Sequence, residues 1–225
     1  MKKKGLLWLG IMTAIILFLI YPSTRSVFLD AVKEHPYIMG FVKFSILATM
    51  GELLAIKITV GEFKNPAGLI YRFIIWGLLG MLFALTFPLF AAGVKGCMNA
   101  KLLPVITGNK FGNDLLTAFF TSAIMNIIFA PTFMFFHRIT DTFIDLGEGK
   151  LSKIFKVSLA DVVKKIDWTG FISFVLLKTI PFFWIPAHTI TFMLPKQYQV
   201  LMAAFLSIAL GAILAFSKRK MPKPA

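Results

Sequence analysis

One cysteine, three histidines and ten acidic residues in 225 leave little for covalent chemistry to work with. Cys97 stands alone, which excludes an intrachain disulfide and a multi-cysteine metal site and leaves it the role of a small packed residue. The sequence has no Walker-type glycine-rich loop, no His-Glu-x-x-His, no Gly-x-Ser-x-Gly and no cysteine-rich cluster, so the local signatures of nucleotide binding, zinc proteolysis and serine hydrolysis are missing. No catalytic residue, cofactor or bound metal is expected, and the chain is read as a non-enzyme. Paired acids, histidine and serine are scarce at what would be the inner face, which also counts against an enzyme acting on lipids.

What the chain has in abundance is apolar surface. Hydrophobic residues make up 58%, with 25 phenylalanines, well above the roughly 45–50% of a soluble domain. A spanning helix needs about 20 mostly apolar residues, and such runs lie at 5–21, 37–56, 69–94, 115–137, 169–194 and 197–216. The expected fold is therefore an all-α polytopic bundle of about six spans, with no room for a separate soluble domain. Residues 1–36 form a basic flank, anchor helix and loop, 37–217 the membrane bundle, and 218–225 a basic tail. The first run follows three lysines and fits either a signal peptide or a spanning helix. Its distal end, Tyr21 to Ser26, has no small-x-small cleavage site, which favours an uncleaved anchor.

The net charge of +14 comes from 20 lysines and 4 arginines set mainly between the apolar runs. There they orient the spans and meet anionic lipid headgroups, so nucleic acid is not an expected partner. Placing the N-terminus inside puts 16 basic residues on inner segments against six on outer ones, the asymmetry expected of cytoplasmic or matrix-facing termini. The lysine-rich start differs from the arginine- and serine-rich mitochondrial presequence. A bacterial cytoplasmic membrane is the first expectation, with the mitochondrial inner or peroxisomal membrane as alternatives. Between the fourth and fifth spans, Leu151, Ile154, Phe155, Leu159, Val162, Val163 and Ile166 recur at helical spacing among five lysines. This pattern predicts an amphipathic helix over about 150–167, lying on lipid or against a membrane-bound partner. Trp8, Tyr37 and Trp168 fall near span ends, where such rings prefer the interface.

Charge at membrane depth costs about 2.5–3.5 kcal/mol per residue even on the lenient insertion scale, so each buried charge needs a partner or a hydrated path. Glu52 is the clearest case, with Lys57 or Arg72 as candidate partners. It either faces an aqueous path or ties the second and third spans together. Arg72 either snorkels to the interface or lines a channel. Lys178 is too deep to snorkel easily, whereas Lys43 is near enough to an end to do so. Pro88, Pro131, Pro181 and Pro186 free backbone carbonyls that must be satisfied within the protein or by cavity water. The segment from Pro181 to Pro195 is thus expected to be kinked and to carry His188, Thr189 and Thr191 inward. His188 is read as a neutral hydrogen-bond donor between helices or as a pore-lining, pH-sensing group. His137 and Asp141, four apart, read as a salt-linked helix end before a metal pair. Asn126 and Asp114 are the remaining polar residues near the fourth span. Gly51, Gly77 and Gly80 permit close helix approach.

Taken in order, several stretches resemble a family, the Mpv-seventeen and twenty-two-kilodalton peroxisomal membrane proteins. Gly51-Glu52-Leu53-Leu54-Ala55-Ile56 is similar to its Gly-Asp-x-x-Ala-Gln element, Arg72-Phe73 with Gly77 to Arg-Phe-x-x-x-Gly, and Ala130-Pro131 running to Phe136 to its Ala-Pro stretch. Ile185-Pro186, Thr191-Phe192 and Leu194-Pro195 resemble the closing signature. Ile56, Met125-Asn126, Ile185 and Thr191 depart from it, and helix 5–21 is additional to the four-span core. The resemblance implies a weakly selective or gated channel for small solutes or ions. Candidate pore or gating residues are then Glu52, Lys57, Arg72, Asn126, Pro131, Lys178, Pro186, His188 and Thr191. A non-conducting membrane scaffold is the rival expectation, and a homo-oligomer is left open.

Overall fold

The structure is a computed structural model describing residues 3–220, with side chains to 213. Lys2, Lys218, Arg219, Lys220 and Lys223, which enter the charge count above, lie outside the described residues or side chains. The regular structure of the described residues is helical throughout: α1 (Lys3–Ile20), α2 (Pro22–Glu34), α3 (Pro36–Val60), α4 (Leu69–Asn99), α5 (Lys110–Leu146), α6 (Leu151–Ile154), α7 (Leu159–Lys165), α8 (Trp168–Met193) and α9 (Lys196–Lys220). Six helices, α1, α3, α4, α5, α8 and α9, are long and apolar enough to cross a bilayer. Their outer faces carry Leu, Ile and Phe in the open, including Leu17, Leu78, Ile127 and Phe182. A water-soluble protein does not expose contiguous apolar surface on this scale, and the chain is a helical membrane protein.

Sequence explains how the helices meet. A Cβ added to Gly40 would lie 2.5 Å from the Gly80 carbonyl oxygen, and one on Gly77 would run into Phe41 and Ser45. The α3 and α4 backbones therefore touch, an approach that only glycine allows. About three turns further along α3, Gly51 admits Ile208 of α9. Helix α3 is thus the central post, contributing Phe44, Leu47 and Ala48 to a core completed by Phe83 and Phe87 of α4, Met125 of α5 and Leu201, Ala204 and Ile208 of α9.

The bundle has two ends. One carries the α2 corner, the α4–α5 loop and the α8–α9 turn, and is called here the hairpin end. The other carries the α3–α4 loop and α6–α7, and is called the terminal end because α1 starts and α9 finishes there. Helix α1 is attached loosely, with no residue of its own buried, and the Trp8 indole donates to the Met50 carbonyl at 3.0 Å.

Three local features differ from expectation. Residues 22–34, expected as loop, are helix α2: Pro22 at its first turn presets the backbone, Phe28 plugs the core, and Arg25 Nε donates to the Tyr198 hydroxyl at 2.9 Å. The amphipathic segment 150–167 is broken rather than continuous. Phe155–Ser158 separates α6 from α7, because Ser158 turns out to cap α7, its Oγ accepting from Asp161 N at 3.1 Å. Val162 and Ile166 turn inward while Leu151, Phe155 and Leu159 stay exposed. Finally, the proline-bearing fifth span is widened as well as interrupted. Phe171–Trp184 follows π-helical bonding through Pro181, then tightens to an α-helix from Ile185. Wide turns of this kind are rare and concentrate at functional positions.

Candidate functional site

At the terminal end, Arg72 near the start of α4 is buried and gathers three carboxylates. Its Nη1 lies 2.9 Å from Glu52 Oε1 on α3 and 3.0 Å from Asp141 Oδ1 on α5, and its Nη2 lies 2.6 Å from Asp145 Oδ1, also on α5. Nε donates to the Ala67 carbonyl at 3.1 Å. The planar fork of arginine suits this divergent arrangement, which a lysine could not reproduce. Among Glu52's two candidate partners the structure selects Arg72. Lys57 instead folds onto the C-terminal carbonyl of its own helix, donating to Gly61, where a cation meets the negative end of the helix dipole.

Asp141 does not pair chiefly with His137. Its near partner is Arg72, while His137 Nδ1 stands 3.7 Å from Asp141 Oδ2 and its ring packs 4.2 Å from the Trp76 indole. Trp76 also lies beside Glu52, although neither the indole N–H nor Glu52 Oε2 completes a hydrogen bond. Asp145, whose side chain is 60% exposed, opens the cluster to the terminal end. No group of three or more metal-ligating side chains is formed among the described residues.

At mid-bundle the axis is closed by rings. Phe83 stacks on Phe44 at 4.8 Å and packs against Phe87 at 5.5 Å, Phe129 at 5.9 Å and Phe133 at 4.8 Å, and Phe87 meets Phe192 at 5.0 Å. Beside this belt sits a polar knot joining α5 to α8. Asn126 Nδ2 lies 3.1 Å from His188 Nδ1 and donates to the Ser122 carbonyl at 2.8 Å, and Ser122 Oγ donates to the Ile185 carbonyl at 2.7 Å. His188 is buried between the Trp184 face, 5.1 Å away, and the Phe87 edge, 5.7 Å away, with Nε2 unpartnered. Thr191 is fully buried and bonds back to the Ala187 carbonyl. Ser45, Thr49 and Glu52 share one face of α3 at spacings of four and three, and each holds a buried oxygen with no protein partner.

Above the belt, a cavity of about 1160 Å³ opens at the hairpin end between α2, α4, α5 and the α8–α9 turn. It descends past Lys43 and Ala91 to Phe87 and Thr121. Four lysines, Lys33, Lys43, Lys95 and Lys196, line it against Asp30 and Asp114; Asp114 is already engaged by Lys110 at 2.6 Å.

The sequence-derived candidates thus fall into separate places. Glu52 and Arg72 join one cluster, and Asn126, His188 and Thr191 group at the α5–α8 contact. Pro131 lies within an uninterrupted α5. Pro186 and Lys178 are exposed on the outside of α8, so Lys178 faces away from the bundle interior. Lys43, expected to snorkel, is buried instead. Asp145 was not among the candidates, yet His137, Asp141 and Asp145 recur every four residues on one face of α5, a signal the sequence carried. Comparison with protein-family models, with curated proteins and with solved structures returns no match.

Proposed function

We propose that this chain is a gated, transport-like membrane protein for small solutes or ions, seen with its path closed at the aromatic belt. The observation that carries this reading is the cavity of about 1160 Å³ that enters from the hairpin end and stops at Phe87 and Thr121. A plain anchor has no need of a chamber of ligand size, which typically spans about 300–1,000 Å³. The buried, unpartnered oxygens of Ser45, Thr49 and Glu52 continue a polar stripe beyond the belt. Hydrophobic constrictions gate by excluding water, and the Phe44–Phe83–Phe87 stack would serve as such a constriction. Movement of α8 at its change from π- to α-helical bonding would shift His188 and Phe192 against Phe87. The likeness of Gly51-Glu52, Arg72-Phe73 and Ala130-Pro131 to the channel family named above points the same way. In this reading the lysine-rich terminal end faces the cytoplasm, and the exposed apolar edge of α6–α7 rests on anionic lipid.

One observation favours a non-conducting scaffold: Arg72 is fully engaged by three carboxylates, as in a structural tie between α3, α4 and α5. Solute and ion efflux from proteoliposomes separates the two readings. Transport predicts measurable flux that rises in Phe87→Ala and changes in Glu52→Ala. Flux indistinguishable from empty liposomes in all three proteins, over a range of pH and voltage, would establish the scaffold.

A further inference from the structure

Lys43 is the buried charge that the reading above does not use. It lies roughly 10 Å along α3 from Pro36 at the rise of an α-helix, it is 6% exposed, and its Nζ sits 5.7 Å from the centroid of Phe28. Among the described residues no carboxylate or carbonyl bonds it; the Phe28 ring is its one polar-type contact. An ammonium in such a position is costly without an anion.

Lys43 is also the residue shared by two cavities. One is the lysine-lined chamber already described. The other, about 400 Å³, is a groove between α1 and α3 lined by apolar side chains, among them Ile11, Ala14 and Phe18 of α1 and Val42 and Ile46 of α3. Lys43 is its one charged lining residue and meets the groove through its aliphatic stem, the groove surface being wholly apolar. A lone cation at the meeting point of a hydrated chamber and a dry groove complements a molecule with an anionic head and a hydrocarbon chain. Around the head, Lys33, Lys95 and Lys196 add positive charge. Asp30 alone opposes them, since Asp114 is held by Lys110. The loose seating of α1, with no buried residue, leaves the groove open along its length to a chain arriving from the bilayer.

We propose that Lys43 and the α1–α3 groove form a binding site for an anionic single-chain amphiphile, its carboxylate or phosphate paired with Lys43 and its chain laid against α1. The site shares with the transport reading the premise that the chamber is hydrated. Its test measures binding rather than flux, so either idea can fail alone.

The full chain in nanodiscs of zwitterionic lipid is titrated with palmitate, lysophosphatidate, lysophosphatidylcholine and inorganic phosphate, and bound ligand is read by native mass spectrometry. Palmitate and lysophosphatidate are expected to bind at least about tenfold more tightly than lysophosphatidylcholine, as a charge-assisted contact implies. Lys43→Gln should lose that preference, and Lys43→Arg should keep it, which also controls for folding. Ala14→Trp, a change at an exposed position that fills the groove, should weaken both anionic amphiphiles at least about tenfold. Unchanged preference in Lys43→Gln would overturn the site. Unchanged binding in Ala14→Trp, with inorganic phosphate displacing palmitate, would overturn the amphiphile and assign Lys43 to free anions.

Discussion

The two ends of this bundle solve the problem of buried charge in opposite ways. At the terminal end one guanidinium meets three carboxylates from two other helices, within 3.0 Å for each. At the hairpin end four lysines line an open chamber with two acids among them, one already taken by a lysine outside it. The first end is tied by its charges, and the second gathers like charges around an opening. The ties join α3, α4 and α5, and the opening lies between α2, α4, α5 and the α8–α9 turn, so motion of α8 and α9 is compatible with a fixed terminal end.

The sharpest way to break this contrast is to remove the tie. Arg72→Met leaves the half-buried Glu52 and Asp141 without their cation, and an uncompensated ion costs up to about 3–5 kcal/mol where it is fully buried. The expected result is a large fall in thermal midpoint in detergent, with Arg72→Lys intermediate because it restores charge without the fork. A midpoint within experimental error of the parent would make the cluster incidental. Phe87→Ala comes next. Truncating a buried aromatic costs about 3–5 kcal/mol, and the lower figure is expected here because Phe87 borders the existing cavity. Stability should fall while solute flux rises, a pairing that simple damage does not produce.

Asn126→Ala is expected to cost about 1–3 kcal/mol through loss of the His188 and Ser122 contacts, visible as a smaller fall in midpoint and faster hydrogen exchange in α8. The smallest effect belongs outside the bundle. Lys153 donates to Glu148 at 2.6 Å, and that bond and its charge hold the Glu148 pKa below the ordinary glutamate value. A depressed acid contributes stability above its unfolded pKa and loses it as pH falls through the folded value. Both groups are exposed, so Glu148→Gln should leave the midpoint unchanged near neutral pH, and a clear fall there would move α6 from periphery to core.

The six spans were legible because length and hydropathy alone specify them, and 37–56 and 69–94 lie within α3 and α4 as observed. Gly77 and Gly80 were legible as close-approach residues, whereas their partner Gly40, near the start of α3, was not singled out. Glu52 demanded a partner on energetic grounds, but sequence distance favoured Lys57 and Arg72 equally. Only the antiparallel α3–α4 register decides, since it brings Arg72 beside Glu52 and leaves Lys57 a turn beyond. Lys43 was misread because proximity to a helix end predicts snorkelling only where that end is uncovered, and α2 lays Phe28 over it. Lys178 shows the reverse: hydropathy gives depth but not rotation, and the residue faces outward. The cavity had no sequence signature, being the space left where α2, α4, α5 and α9 fail to meet.

The proposed path requires an aqueous chamber that enters from one end only and stops at the aromatic belt. Single cysteines placed at Ala91, in the chamber, and at Ser45, beyond the belt, in a Cys97→Ser background, test it with a membrane-impermeant thiol reagent. Ala91→Cys is expected to be modified from the hairpin side and Ser45→Cys to be protected from both sides, and adding Phe87→Ala should expose Ser45→Cys. Protection of Ala91→Cys, or equal reaction of Ser45→Cys with the belt intact, would contradict it.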